Sequence, residues 1–129
     1  MSIQLHKPDY LVVYVSDMLR SVAFYRDILG LPLKFTTPGW SEFEIGSITL
    51  ALHRGSGERL PLHEGRPPAG VAQLAFVVEN IQATYEDLKA RGASFSLPPQ
   101  KQVTGNTLAT LNDPDGFGIT IQERQEGRA

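Results

Sequence analysis

Apolar positions along the chain change rhythm several times, and each change marks an element. Tyr10-Leu11-Val12-Val13-Tyr14-Val15 is rich in β-branched and aromatic residues that suit a covered, pleated strand. Ser16-Asp17 ends it, and the Asp17 side chain can accept from an unpaired amide in the first turn of a following helix. Met18, Val22, Tyr25 and Leu29 then recur at helical spacing up to Gly30, where a left-handed cap costs least. The spacing predicts a helix of about three turns. Ala72-Gln73-Leu74-Ala75-Phe76-Val77-Val78 repeats the strand, Asn80 the cap, Ile81, Tyr85 and Leu88 the stripe, and Gly92 the stop. The two caps are 63 positions apart (80 − 17), as are Val15 and Val78, which points to internal duplication.

Short strand candidates divided by turn residues follow each helix: Leu33 to Phe35, Trp40 to Ile45 and Ile48 to His53, then Ala93 to Leu97, Thr107 to Leu111 and Gly118 to Gln122. Pro38-Gly39, Gly46-Ser47, Pro98-Pro99 and Asp113-Pro114-Asp115-Gly116 supply the turns. Each half therefore reads βαβββ. The chain divides into a first module (8–53), a connector rich in Gly, Pro and charge (54–70), a second module (71–123) and a tail (124–129), all within one domain.

Val15-Ser16-Asp17, Phe24-Tyr25-Arg26-Asp27-Ile28-Leu29-Gly30-Leu31 and Asp113-Pro114-Asp115-Gly116, in this order, resemble the vicinal oxygen chelate superfamily, which includes glyoxalase I, extradiol dioxygenases and bleomycin-resistance proteins. The resemblance covers nearly the whole chain. It implies an α+β fold in which two βαβββ modules form a curled mixed sheet around a cavity, with the helices outside. Alternation by twos then sends Leu11, Val13, Val15, Leu50 and Leu52 toward the helices. It leaves Tyr10, Val12, Tyr14, Thr49, Ala51 and His53 facing the cavity, with Trp40, Glu42 and Glu44 opposite Phe43 and Ile45. In the second module Gln73, Ala75, Val77, Gly118, Thr120 and Gln122 face inward.

Metal-using members of that superfamily draw ligands from one cavity position on the first and last strand of each module, positions that fall here on Tyr10, Ala51, Gln73 and Thr120. Of these only Gln73 is a ligand type suited to a borderline divalent cation. The resemblance with this donor set implies no cofactor and disfavours a divalent metal. A shifted site at His53 with Glu42 or Glu44 is the alternative. His53 otherwise reads as a strand-end residue, and His6 and His63 as solvent residues of the arm and the connector.

The 129 residues suffice for one core, and the net charge of −2 leaves no basic excess for nucleic acid or a lipid surface. The absence of cysteine excludes disulfides, thiolate sites and thiol nucleophiles and fits a cytoplasmic setting. Met1 to Pro8 is polar and no apolar run is long enough to span a membrane, so neither a leader nor an anchor is expected. No Gly-x-Ser-x-Gly, P-loop or dinucleotide fingerprint occurs. The expected ligand-binding residues are Tyr10, Tyr14, Trp40, Glu42, His53, Gln73, Thr120 and Gln122, with no catalytic residue assigned. Aromatic rings offer flat apolar surface and the carboxylate favours a cation. The expected function is sequestration of an aromatic or cationic small molecule, with a metal-dependent lyase, isomerase or dioxygenase as the alternative; whether the chain is an enzyme stays open. A homodimer is implied by the resemblance.

Overall fold

In the computed structural model, which describes residues 3–57 and 67–125, the chain forms two four-stranded mixed sheets, each with a helix on one face. The first module runs β1 (Tyr10–Val15), α1 (Met18–Ala23), a π-helical turn (Phe24–Ile28), β2 (Leu33–Thr36), β3 (Trp40–Ile45) and β4 (Ile48–Arg54). The second runs β5 (Gln73–Val77), α2 (Ile81–Ala90), β6 (Ser94–Lys101), β7 (Thr107–Asn112) and β8 (Gly118–Glu123). The strand orders β1-β4-β3-β2 and β5-β8-β7-β6 are the same topology twice, with β1 parallel to β4 and β5 parallel to β8. The fold is the expected one, but among the described residues the two sheets are separate rather than one continuous curl. His63 and the middle of the connector lie outside the described residues.

The caps act as the side chains require: the Asp17 carboxylate accepts from the Arg20 amide and the Asn80 carbonyl from the Ala83 amide. Gly30 and Gly92 both adopt positive φ where their helices end, a conformation that a Cβ disfavours. The first helix departs from the expected regular three turns. After Ala23 it widens to π geometry, with the Leu29 amide donating to the Phe24 carbonyl five residues back. Widening the turn lets the adjacent residues Phe24 and Tyr25 both be buried, which a strict 3.6 repeat does not favour. Pro98 and Pro99 do not end a strand as expected; β6 continues through them to Lys101. Its register shifts at two places, and it is an edge strand, where prolines without an N–H are tolerated.

One apolar core joins both modules. Phe43, Leu50, Leu52, Leu111 and Ile119 are fully buried, each burial worth about 1.5–3 kcal/mol relative to exposure. Ser21 is an exception in this layer, because its buried Oγ finds no hydrogen-bond partner among the described residues. Ser21→Ala is therefore expected to leave stability unchanged or to raise it by about 1 kcal/mol in chemical denaturation, because it removes an unsatisfied polar atom. A clear loss of stability would show that the hydroxyl is satisfied.

Candidate functional site

The faces turned away from the helices carry the chemistry. On the first sheet, Tyr10, Val12 and Tyr14 of β1 lie beside Thr49, Ala51 and His53 of β4, which in turn pair with Glu44, Glu42 and Trp40 of β3. Alternation along these strands puts Leu50, Leu52, Phe43 and Val13 on the core side, so the polar and aromatic residues share the other. Glu42 lies at the centre and is only 8% exposed. The Trp40 indole N–H donates to its Oε2 at 2.8 Å and the Tyr10 hydroxyl to the same atom at 3.3 Å. The Glu42 charge, followed by burial and the hydrogen bond itself, holds the Tyr10 phenol above its ordinary range, so Tyr10 stays a donor.

Aromatic rings frame this carboxylate. Tyr10 meets Trp40 edge-on at 6.1 Å, Trp40 meets His53 at 5.5 Å and His53 meets Tyr14 at 5.1 Å. The first two pairs are edge-to-face and the third is tilted, geometries that leave ring faces available for a flat ligand. Tyr10 is 48% and Tyr14 65% exposed, so the face is open in the isolated chain.

The sequence reading did not sort the faces of β2 and so missed one residue here. The β2–β3 register shifts between Leu33 and Phe35, and at this β-bulge Lys34 lies over the inner face. Its ammonium lies 3.6 Å from Glu42 Oε1 and 3.3 Å from the Thr49 hydroxyl. The signal available in the sequence was Lys34 next to core-facing Leu33, which puts it on the cavity side. The acidic wall is thus an ion pair rather than a bare carboxylate.

The second sheet is neutral and polar. The Thr120 hydroxyl donates to Gln73 Oε1 at 2.9 Å and lies 3.0 Å from the Thr110 hydroxyl. Gly118 is paired with Gln73, and a Cβ there would come within 3.2 Å of Gln73 Cγ, so the glycine makes the space in which Gln73 lies. Gln122 pairs with Val77 and Leu108 at the far end of the sheet. The eight expected residues thus fall into two sets: Tyr10, Tyr14, Trp40, Glu42 and His53 on the first sheet, and Gln73, Thr120 and Gln122 on the second. Tyr14 and Gln73 both border an open crevice between the modules, of about 1660 Å³.

The turn Asp113-Pro114-Asp115-Gly116 ties the modules together. The buried Asp113 carboxylate accepts from the Tyr25 hydroxyl at 2.8 Å and from the amides of Asp115 and Phe117. Asp115 accepts from the amide and hydroxyl of Ser16 and lies 3.7 Å from Arg20. Burial and the Asp113 charge push the Tyr25 phenol far upward, keeping it a donor.

Could these residues hold a divalent cation? Ala51 is fully buried and offers no donor atom, Tyr10 is committed to Glu42, and the Gln73 oxygen is occupied by Thr120. Among the described residues no group of three or more His, Asp or Glu side chains is placed to bind a metal. The donor set at the four positions does not fit a divalent cation.

With this geometry in place, the chain belongs to the Glyoxalase/Bleomycin resistance protein/Dioxygenase superfamily, whose profile matches residues 7–121. It is 30% identical over 115 residues to the uncharacterized protein YraH of Bacillus subtilis, covering 83% of this chain and 90% of that one. It is 27% identical over 124 residues to the lactoylglutathione lyase of Haemophilus influenzae, covering 89% and 90%. Among solved structures, a glyoxalase/bleomycin resistance protein/dioxygenase from Nocardioides superposes with a TM-score of 0.76 at 26% identity, covering 98% of this chain and 89% of that one. No helix among the described residues is long and apolar enough to cross a membrane.

Proposed function

We propose that this chain is a cytoplasmic small-molecule-binding member of its superfamily that sequesters a flat aromatic ligand carrying a positive charge, without the metal used by catalytic members. The observation that carries this reading is Glu42, a nearly buried carboxylate held by Trp40 and Tyr10 inside a frame of rings. A nearly dry carboxylate bordered by aromatic faces attracts a cation by charge and by the ring quadrupoles together. Gln73 and Thr120 of the second sheet supply neutral hydrogen-bonding groups to the rest of the ligand.

The exposure of Tyr10, Tyr14 and Val77 on the two inner faces supports a homodimer in which a second copy closes the cavity. Light scattering of purified protein should give twice the mass of one chain; a monomer at micromolar concentration would remove the dimer from this reading.

The test of binding uses 2-naphthamidine, a bicyclic aromatic cation, and its neutral counterpart 2-naphthamide. Tryptophan quenching and a rise in melting temperature are expected with the amidine, because a ligand that binds only the native state stabilises it. No response to either compound at millimolar concentration sinks the proposal. The second reading, a metal-dependent lyase, draws on the likeness to proteins named lactoylglutathione lyase. It requires stoichiometric divalent metal in protein purified without chelator, and finding such metal in wild type but not in His53→Ala would favour it over simple binding.

A further inference from the structure

Glu42 carries two unequal oxygens. Oε2 receives both the indole N–H and the phenol, while among the described residues Oε1 faces only the Lys34 ammonium at 3.6 Å, an ion-pair distance too long for a good hydrogen bond. Lys34 is held weakly in turn. Its other polar contact among the described residues is the Thr49 hydroxyl at 3.3 Å, its side chain is 41% exposed, and it stands on a bulge rather than in a regular ladder. The ammonium therefore occupies the open side of a nearly buried carboxylate with little to keep it there. Withdrawing a flexible lysine into water costs little, since partly exposed ion pairs contribute weakly.

We infer that Lys34 is an internal counter-ion that stands in for the ligand's cationic group, and that the ligand binds by displacing it from Glu42 Oε1. This rests on the cationic aromatic reading above and sharpens it in two respects. The ligand's charged group must carry N–H donors, as a protonated amine or amidinium does, because Oε1 lacks a close donor and a quaternary ammonium has none to give. Lys34 also sets specificity. A neutral aromatic has no charge with which to replace the ammonium on Glu42, so it binds beside the intact Lys34–Glu42 pair and gains nothing from the carboxylate, whereas a cation takes the lysine's place.

The experiment compares wild type with Lys34→Met, which keeps the aliphatic stem and removes the competing charge. Calorimetric titration with 2-naphthamidine should show about fourfold tighter binding to Lys34→Met, since the ligand no longer competes with a weakly held internal cation. A trimethylammonium analogue of the same ring system should gain less than the amidine, and 2-naphthamide should change by less than about twofold. Circular dichroism and the melting curve guard against misfolding, and Lys34→Gln, which keeps a polar head without charge, should reproduce the gain. If wild type binds the amidine but Lys34→Met and Lys34→Gln bind it equally well or more weakly, the counter-ion role is overturned while the binding reading stands. An equal gain for amidine and amide would overturn it too, by showing that the lysine only blocks the pocket. If neither wild type nor either variant binds any of the probes, both readings fall together.

Discussion

Replacing Tyr25 by alanine is expected to lower the unfolding free energy by about 4 kcal/mol, a large share of what holds a domain of this size together. The ring is fully buried, meets Phe24 edge-on at 5.0 Å and lies 5.9 Å from Phe43, so truncation empties a volume that the core cannot readily refill. The hydroxyl adds a separate effect. Tyr25→Phe keeps the packing but removes one of the three donors to the buried Asp113 carboxylate, and should cost about 1–2 kcal/mol. Asp113→Ala orphans the phenol and two amides at once and should cost about 3 kcal/mol. Because the two changes share a hydrogen bond, the double variant should be more stable than additivity predicts. Urea unfolding followed by tryptophan fluorescence measures all of these, and a fully additive pair would mean that the bond contributes nothing.

The same carboxylate makes stability depend on pH in a defined direction. Burial raises the Asp113 carboxyl above its ordinary range, against the opposing pull of Tyr25 and the Phe117 and Asp115 amides. The native state thus holds this proton more tightly than the unfolded chain does. Its contribution is full below the unfolded value of about 3.9 and is lost as pH rises through the native value. Asp113→Asn does not titrate, so the stability difference between wild type and this variant should move against the wild type from about pH 3 to 7.

The second large effect is expected at Glu42. Glu42→Gln preserves an oxygen for Trp40 and Tyr10 and so should keep the fold, but it removes the charge at the centre of the ring frame. Binding of 2-naphthamidine should weaken by about 100-fold, since losing one partner of a nearly buried charge contact costs upwards of 2 kcal/mol. The neutral amide should change less than about threefold. Equal losses for both compounds would assign Glu42 to pocket shape and take away the charge argument.

Strand, cap and stop were readable because each is set within a few residues. β1 and β3 begin and end where β-branched and aromatic runs do, and Asp17, Asn80, Gly30 and Gly92 act at the positions that their side chains suit. Alternation also put Glu42 on the face opposite Phe43. Its depth was not legible, because burial depends on Tyr10 and Trp40 closing over it from two strands. What escaped was register: the bulge at Lys34, the bulges that carry β6 through Pro98 and Pro99, and the π turn that buries Phe24 beside Tyr25. Each adds or shifts one residue in a pattern that spacing assumes to be regular. The link from Asp113 and Asp115 to Tyr25 and Ser16 was hidden for another reason, because those residues meet only after the two modules pack.

That link has a consequence for how the chain is made. Its two hydrogen-bonded pairs join residues 88 and 99 positions apart, so they form only when the chain through residue 115 is available. During synthesis the first module leaves the ribosome with Tyr25 lacking its acceptor and Ser16 lacking Asp115, and it stays in that condition until the turn at 113–116 follows. The early half can form its sheet but cannot complete its interior alone. Final consolidation therefore waits on the turn at 113–116, and a nascent chain stopped short of residue 113 would expose an unfinished, sticky surface to its neighbours.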